Sequence, residues 1–299
     1  MTAYHFNIKN ISLSTTDDHK NNPSLKTLLI QESEHVDLNT MFYAKLNFMN
    51  NQGRDLTLYS DREMARTVKG QVWAFEVEGV MTFYWHSGSK TLKYVKHDNF
   101  SEALMQYWYL QTVIPLYLTI EETYRFLHAG AVEIEGKPVL FIAESFGGKS
   151  TMTDYFIQRG HKMLSDDKVG VYEKDGRIFA VPSHPYHRPY RAEEDLGYLL
   201  DSIVQTPAPI HAIYQLKRVE ATADVKIEPL TGLEKLKALR FSGQMNLFFL
   251  KVKHFALLGK LAETVPVFQV TVPWDLARLE EVYHCIVRYS KTKISTKQL

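Results

Sequence analysis

Phe141-Ile142-Ala143-Glu144-Ser145-Phe146-Gly147-Gly148-Lys149-Ser150-Thr151 is an apolar run ending in a Gly-Gly-Lys-Ser turn, and its reading decides the fold. A phosphate cradle needs backbone N–H groups that converge on oxygen, a lysine for the outer phosphates and a hydroxyl for Mg2+. Gly147 and Gly148, Lys149 and Ser150 stand in those places. A helix opening here adds its positive end. The usual pattern G-x-x-x-x-G-K-[ST] begins with glycine, whereas this chain has Ala143, so the surroundings have to decide.

The surroundings have the required frame. Lys137-Pro138-Val139-Leu140-Phe141-Ile142 reads as a short buried strand after the turn Glu135-Gly136. Beyond the loop, Met152, Tyr155 and Phe156 recur at helical spacing, and Gly160 stands where a helix C-cap belongs. Strands are predicted at Ala129 to Ile134, Lys162 to Ser165, Ala212 to Leu216, Val225 to Ile227 and Val265 to Val272. Thr231-Gly232-Leu233-Glu234 has the pattern of a capping box, opening a helix with Leu233, Leu236 and Leu239 inward. A last helix is predicted from Trp274 to about Tyr289. This alternation is α/β.

The first hundred residues read differently. Short aromatic or β-branched runs at Lys26 to Ile30, Met41 to Phe48, Gln71 to Val77, Met81 to His86 and Thr91 to Val95 predict a β-rich region with a hairpin at Glu78-Gly79. Glu102 to about Arg125 lengthens into helix interrupted at Pro115. The chain is therefore expected to hold two domains, 1–115 and 116–299, with the chemistry in the second.

Composition narrows the classes. At 299 residues, 45% hydrophobic and 23% charged, the chain has an ordinary globular make-up. A net charge of +1 argues against nucleic acid as a partner, and the basic stretch Arg288 to Lys293 reads as a solvated tail. A single cysteine, Cys285, excludes an intramolecular disulfide and cysteine-rich metal sites. The N-terminus lacks a basic segment followed by an apolar one, and the most apolar window, Val113 to Ile120, is too short for a bilayer. A cytoplasmic protein without membrane attachment is the expectation.

Phosphoryl transfer asks for a cradle, a metal ligand, a base and a cation. Asp166 and Asp167 follow the strand-like Lys162 to Ser165, where one acid can serve a metal and the other an acceptor hydroxyl. His128 precedes the strand at Ala129. The segment Ser183-His184-Pro185-Tyr186-His187-Arg188-Pro189-Tyr190-Arg191 is a loop that can carry substrate contacts. Its two histidines lack a nearby acid or third histidine in sequence and do not read as zinc ligands.

Taken in order, Leu127-His128-Ala129-Gly130-Ala131-Val132, Glu135-Gly136, Glu144 to Ser150 and Arg159-Gly160-His161-Lys162-Met163-Leu164-Ser165-Asp166-Asp167 resemble the core of HPr kinase/phosphorylase and its relatives. A looser likeness extends from about Leu110 to Leu279. The resemblance implies a P-loop, HPr-kinase-like (phosphoenolpyruvate-carboxykinase-like) α/β catalytic domain behind a β-rich α+β domain, using ATP and Mg2+. It implies that Lys149 and the loop positions Ser145, Gly147, Gly148, Ser150 and Thr151 hold the nucleotide. Ser150 and one of Asp166 and Asp167 would serve the metal, with Asp167 carried as the metal candidate and the other aspartate as base. His128 matches the family's active-site histidine, and Arg188 and Arg191 are candidates to face the transferred phosphate. The glycine-rich signature with its metal-binding glutamate that follows the core in true HPr kinases has no counterpart here, and the β-rich N-terminal half does not resemble theirs.

The expectation is an ATP-dependent kinase acting on a serine-like hydroxyl of a peptide, protein or small molecule such as free serine or a sugar. The competing reading is a nucleotide-binding regulatory or scaffold protein without transfer. Oligomeric state is left open.

Overall fold

Lys137–Ile142 is apolar along most of its length because both of its faces are covered. Leu140 and Ile142 enter one buried cluster with Ala131, Ile213 and Val267, while Val139 and Phe141 enter another with Met152, Phe156 and Tyr214. A strand covered on both sides shows no polar alternation. The computed structural model describes residues 28–48, 53–65, 68–190, 192–243 and 247–292. It is a mixed α/β protein with several sheets.

The chain forms two compact units. One runs up to Tyr124 and also takes Ala192–Leu196; the other begins at Arg125 and lacks only that segment. In the second unit, six strands lie in the order Met163–Ser165, Gly130–Ile134, Lys137–Ile142, Ala212–Val219, Val267–Pro273, Ile227–Pro229. Lys137–Ile142 is antiparallel to Gly130–Ile134 and parallel to Ala212–Val219, which is parallel to Val267–Pro273. The helices Lys149–Gln158 and Leu279–Thr292 cover one face, through Met152 and Phe156 from the first and Val282 and Ile286 from the second. Full burial of Met152 and Phe156 contributes about 1.5–3 kcal/mol each, which fixes the start of that helix beside the loop.

The other face is covered by the helices Gly232–Leu239 and Lys251–Thr264 and by a second, antiparallel sheet. Its order is Ala208–Pro209, Arg177–Val181, Lys168–Lys174, Arg125–His128. Asp175 and Gly176, at φ 52° and 74°, make the tight turn between two of these strands.

The first unit holds a six-stranded sheet in the order Leu29–Glu32, Thr91–Lys96, Met81–His86, Val72–Val77, Leu56–Ser60, Ala44–Phe48. The hairpin predicted at Glu78-Gly79 joins two of them, with Gly79 at φ 70°. Trp73 and Trp85 are buried neighbours on that ladder, with ring centroids 6.5 Å apart. Within the same unit Glu194 accepts from both the Arg54 guanidinium and the Trp108 indole, the latter at 2.7 Å.

Several expectations need correction. Pro115 does not interrupt the helix: Glu102–Trp108 runs through a π turn, Tyr109–Val113, into Ile114–Ile120. The Ile114 N–H reaches back to the Tyr109 carbonyl, so the wider turn accommodates a residue that cannot donate. Arg125 belongs to a strand. The Thr231 side chain makes no cap bond, and Leu233 is 73% exposed where it was expected inward, although Leu239 is buried. The last helix starts at Leu279 after a short turn, Leu276–Arg278, and continues to Thr292. Ser290 in the supposed tail is buried against the Tyr214 hydroxyl at 2.8 Å. Lys26 and Lys293 lie outside the described residues. Among the described residues no helix is long and apolar enough to cross a membrane.

Gly130 lets the helix Lys149–Gln158 lie on its sheet, since a Cβ there would stand 2.0 Å from Thr153 Oγ1. Gly130→Ala is expected to cost about 1–3 kcal/mol in urea unfolding through this overlap. Adding Thr153→Ala should recover part of the loss, whereas equal midpoints for the two variants would contradict the packing account.

Candidate functional site

The turn after Ile142 is tightly drawn. Gly147 N–H donates to the Glu144 carbonyl at 2.9 Å, and a Cβ on Gly147 would stand 2.5 Å from the Ala143 methyl. Ala143 is itself almost wholly buried among Phe141, Met152 and Phe156, so its extra carbon is absorbed by core and Gly147 provides the clearance. Gly148, at φ 89°, precedes the first residue of the helix Lys149–Gln158. Phe146 holds a left-handed φ of 60° while 75% exposed, a conformation that an aromatic residue adopts only at a cost. Ser145 and Thr151 are exposed and Ser150 is half-buried. Lys149 is buried and folds back so that its Nζ donates to the Ala143 carbonyl at 3.4 Å.

The acid pair sits where the two sheets of this unit exchange the chain. Met163–Ser165 belongs to the first sheet and Lys168–Lys174 to the second, leaving Asp166 and Asp167 between them. The Asp167 carbonyl accepts the Ala129 N–H at 3.1 Å, and Lys168 is the register partner of His128. That pairing sets His128 Nδ1 3.1 Å from Asp167 Oδ1, with both side chains about a quarter exposed, 23% and 25%. Burial alone would raise the Asp167 carboxyl. The hydrogen bond and charge of His128, with the nearby Lys168 and Lys149 ammoniums, hold it instead well below the usual carboxylate range. Lys149 within the loop and His128 before it therefore act on the same carboxylate.

Asp166 has different surroundings. Its Oδ1 accepts His187 Nδ1 at 2.9 Å and its Oδ2 accepts the Arg188 N–H at 2.9 Å, in a buried setting. His187, wholly buried, donates through Nε2 to Asp154 Oδ1 at 3.1 Å, on the helix that follows the loop. The Tyr198 hydroxyl donates to the same oxygen at 2.7 Å. Burial pulls the His187 imidazole toward neutrality, but the bonds and charges of Asp166 and Asp154 outweigh it and raise its pKa. The acids that His187 lacks in local sequence thus come from 33 and 21 residues away.

Lys168, His184 and Arg188 stand near the acid pair. Burial, aided by the charge of Arg188 and opposed by Asp167, brings Lys168 down to about 8. Burial likewise lowers His184 to about 4, with Lys168 and Arg188 adding to the effect and Asp166 opposing it. His128, Asp166, Asp167, Lys149 and Arg188 are thereby gathered in one region, and Arg191 lies outside the described residues. Lys168, Asp154 and the bridging role of His187 were not anticipated from the sequence. Lys168 had a signal, since it follows the acid pair directly. Asp154 had none, because its partner is distant along the chain.

Among the described residues no group of three or more His, Cys, Asp or Glu side chains could hold a metal ion. Asp167 and Ser150 supply a carboxylate and a hydroxyl, donor types that suit Mg2+.

No protein-family profile matches the chain. It is 38% identical over 68 residues to the HPr kinase/phosphorylase of Lactobacillus delbrueckii subsp. bulgaricus, covering 22% of each chain. It is 43% identical over 51 residues to that of Lactobacillus johnsonii, covering 17% of this chain and 16% of the relative. With the enzyme of Lacticaseibacillus casei, identity is 41% over 61 residues, or 20% and 19% of the two. The matched segments span at most 22% of these curated relatives. A solved HPr(Ser) kinase/phosphatase from Coxiella burnetii aligns at 16% identity and a TM-score of 0.35 over 57% of this chain and 99% of that one. The sequence matches support the resemblance to HPr kinase/phosphorylase read from the motifs.

Asp167→Asn should lower stability at pH 7 by about 1–2 kcal/mol, since a depressed carboxylate pKa is a folding contribution. That contribution is present above the unfolded value of about 4 and is lost as pH falls through the lower folded value. Urea unfolding of the two proteins at pH 7 and in acid checks this; a deficit that grows on acidification would overturn it.

Proposed function

We propose that this chain is an ATP- and Mg2+-dependent kinase that transfers the γ-phosphoryl group to a serine-like hydroxyl of a peptide, protein or small molecule. The region 116–299 carries the chemistry and the β-rich region 1–115 precedes it. The observation that carries this reading is the convergence of Lys149 and His128 on the anionic Asp167, which joins a Gly-Gly-Lys-Ser loop to an acid–histidine pair in one site.

The backbone N–H groups from Gly148 to Thr151, at the opening of the helix Lys149–Gln158, receive the phosphates, and Lys149 neutralises their charge. Ser150 and Asp167 are the residues that would hold Mg2+, which when bound would supply neutralisation of the phosphate charge. Asp166 has both carboxylate oxygens engaged and serves as an anchor, so the aspartate at the reacting hydroxyl is Asp167 with His128 as its partner. The acceptor oxygen closes on the γ-phosphorus as its proton passes to the imidazole of the His128–Asp167 pair, and the bond from the γ-phosphorus to the β-phosphate bridging oxygen breaks to release ADP. Arg188 and Lys168 supply cations for the charge that spreads over the transferred group.

A nucleotide-binding protein without transfer is the second reading. It is favoured by the same burial of Asp166, which leaves a single aspartate for two tasks.

Cell extract incubated with γ-labelled ATP separates these readings. The wild-type protein should label an extract component, and Lys149→Ala or Asp167→Asn should each reduce the rate by about 100-fold or more. Acid-precipitable label identifies a polypeptide acceptor and soluble label a small molecule. Nucleotide binding with no label transferred by the wild type would establish the second reading instead.

A further inference from the structure

The hairpin formed by Tyr186–His187 and Tyr198–Leu199 carries His187 into the interior and leaves Arg188 beside it. Both ring nitrogens of His187 face carboxylate oxygens, Asp166 Oδ1 at 2.9 Å and Asp154 Oδ1 at 3.1 Å. A carboxylate only accepts, so each nitrogen must donate and the ring is a two-ended cationic bridge. Its ends lie on different elements: Asp154 on the helix that opens at Lys149, Asp166 after the strand Met163–Ser165. The second oxygen of Asp166 holds the Arg188 amide at 2.9 Å, and the Tyr198 ring stands edge-on to His187 with centroids 5.3 Å apart. Gly197, at φ 76°, returns so close to the His187 carbonyl that a Cβ would stand 2.1 Å from it. The backbone at 187–188 is held from every side.

We propose that His187 is a positioning residue, whose bridge between Asp154 and Asp166 sets Arg188 at the γ-phosphate end of the nucleotide held by the loop. This rests on the kinase reading for the placement of ATP, but its test is binding rather than transfer. The loop amides hold phosphates that ATP and ADP share, whereas Arg188 adds a contact that only ATP can make, so displacement of Arg188 lowers the preference for ATP. The bridge also makes a charge-specific forecast. In His187→Gln one end of the amide can donate to Asp166 while its oxygen is forced against the Asp154 carboxylate. Changing Asp154 to Asn supplies an N–H for that oxygen and restores a neutral bridge.

Calorimetry with ATP and with ADP on the full chain and its variants decides the matter. Wild type should bind ATP more tightly than ADP by about tenfold, the scale of one charge-assisted contact, and Arg188→Ala should abolish the difference. His187→Gln should abolish it equally with ADP affinity unchanged, and Asp154→Asn with His187→Gln should bring back most of it. A variant His187→Gln that loses thermal stability but keeps the wild-type ATP preference would overturn the proposal, as would a wild type that does not discriminate the two nucleotides. Failure of the label-transfer experiment with this binding pattern intact would remove the kinase reading alone.

Discussion

Asp166 spends one carboxylate oxygen on the His187 ring and the other on the Arg188 amide, and the arrangement of the candidate site depends on that double engagement. A buried carboxylate needs its lone pairs satisfied, and here the partners come from a segment more than twenty residues further on. The bond therefore closes a long excursion of the chain onto the end of the strand Met163–Ser165. It also divides two adjacent acids into different tasks. Asp166 turns inward as an anchor, and Asp167 turns toward His128, Lys149 and Lys168.

Much of the second unit's framework was legible in the sequence because its signals are local. Lys137–Ile142 announces itself as an unbroken apolar run, and the helix after it shows Met152 and Phe156 at helical spacing with Gly160 beyond its end. The acid pair and His128 could be placed because each adjoins a strand of that frame. The strands Lys168–Lys174 and Arg177–Val181 were missed although Asp175-Gly176 is a strong hairpin signal. The helix Lys251–Thr264 was missed for a better reason. Val252 and Phe255 are exposed whereas Leu258 and Leu261 are buried, so its apolar residues do not describe one inward stripe. The roles of Asp154 and His187 could not be read at all, since a contact across 33 residues leaves no periodic trace.

The partial likeness to HPr kinase/phosphorylases and the first unit's aromatic sheet describe one chain at two levels. A matched stretch of 51 to 68 residues is long enough for a supersecondary core and too short for a whole enzyme. In the first unit, stability comes from another source, large rings such as Trp73, Phe75, Phe83 and Trp85 buried on a largely antiparallel sheet. Likeness in one stretch thus carries no statement about what the remaining chain recognises.

Ala192–Leu196 is counted with the first unit while the residues on either side of it belong to the second. The two units are therefore not beads on a string, and no single scission of the polypeptide yields them whole. A fragment starting at Arg125 would carry Glu194 without Arg54 and Trp108, exposing a carboxylate that the intact chain keeps bound. Deletion studies of the N-terminal region will read out damage to the excursion between Arg188 and Tyr198 as well as loss of the region itself.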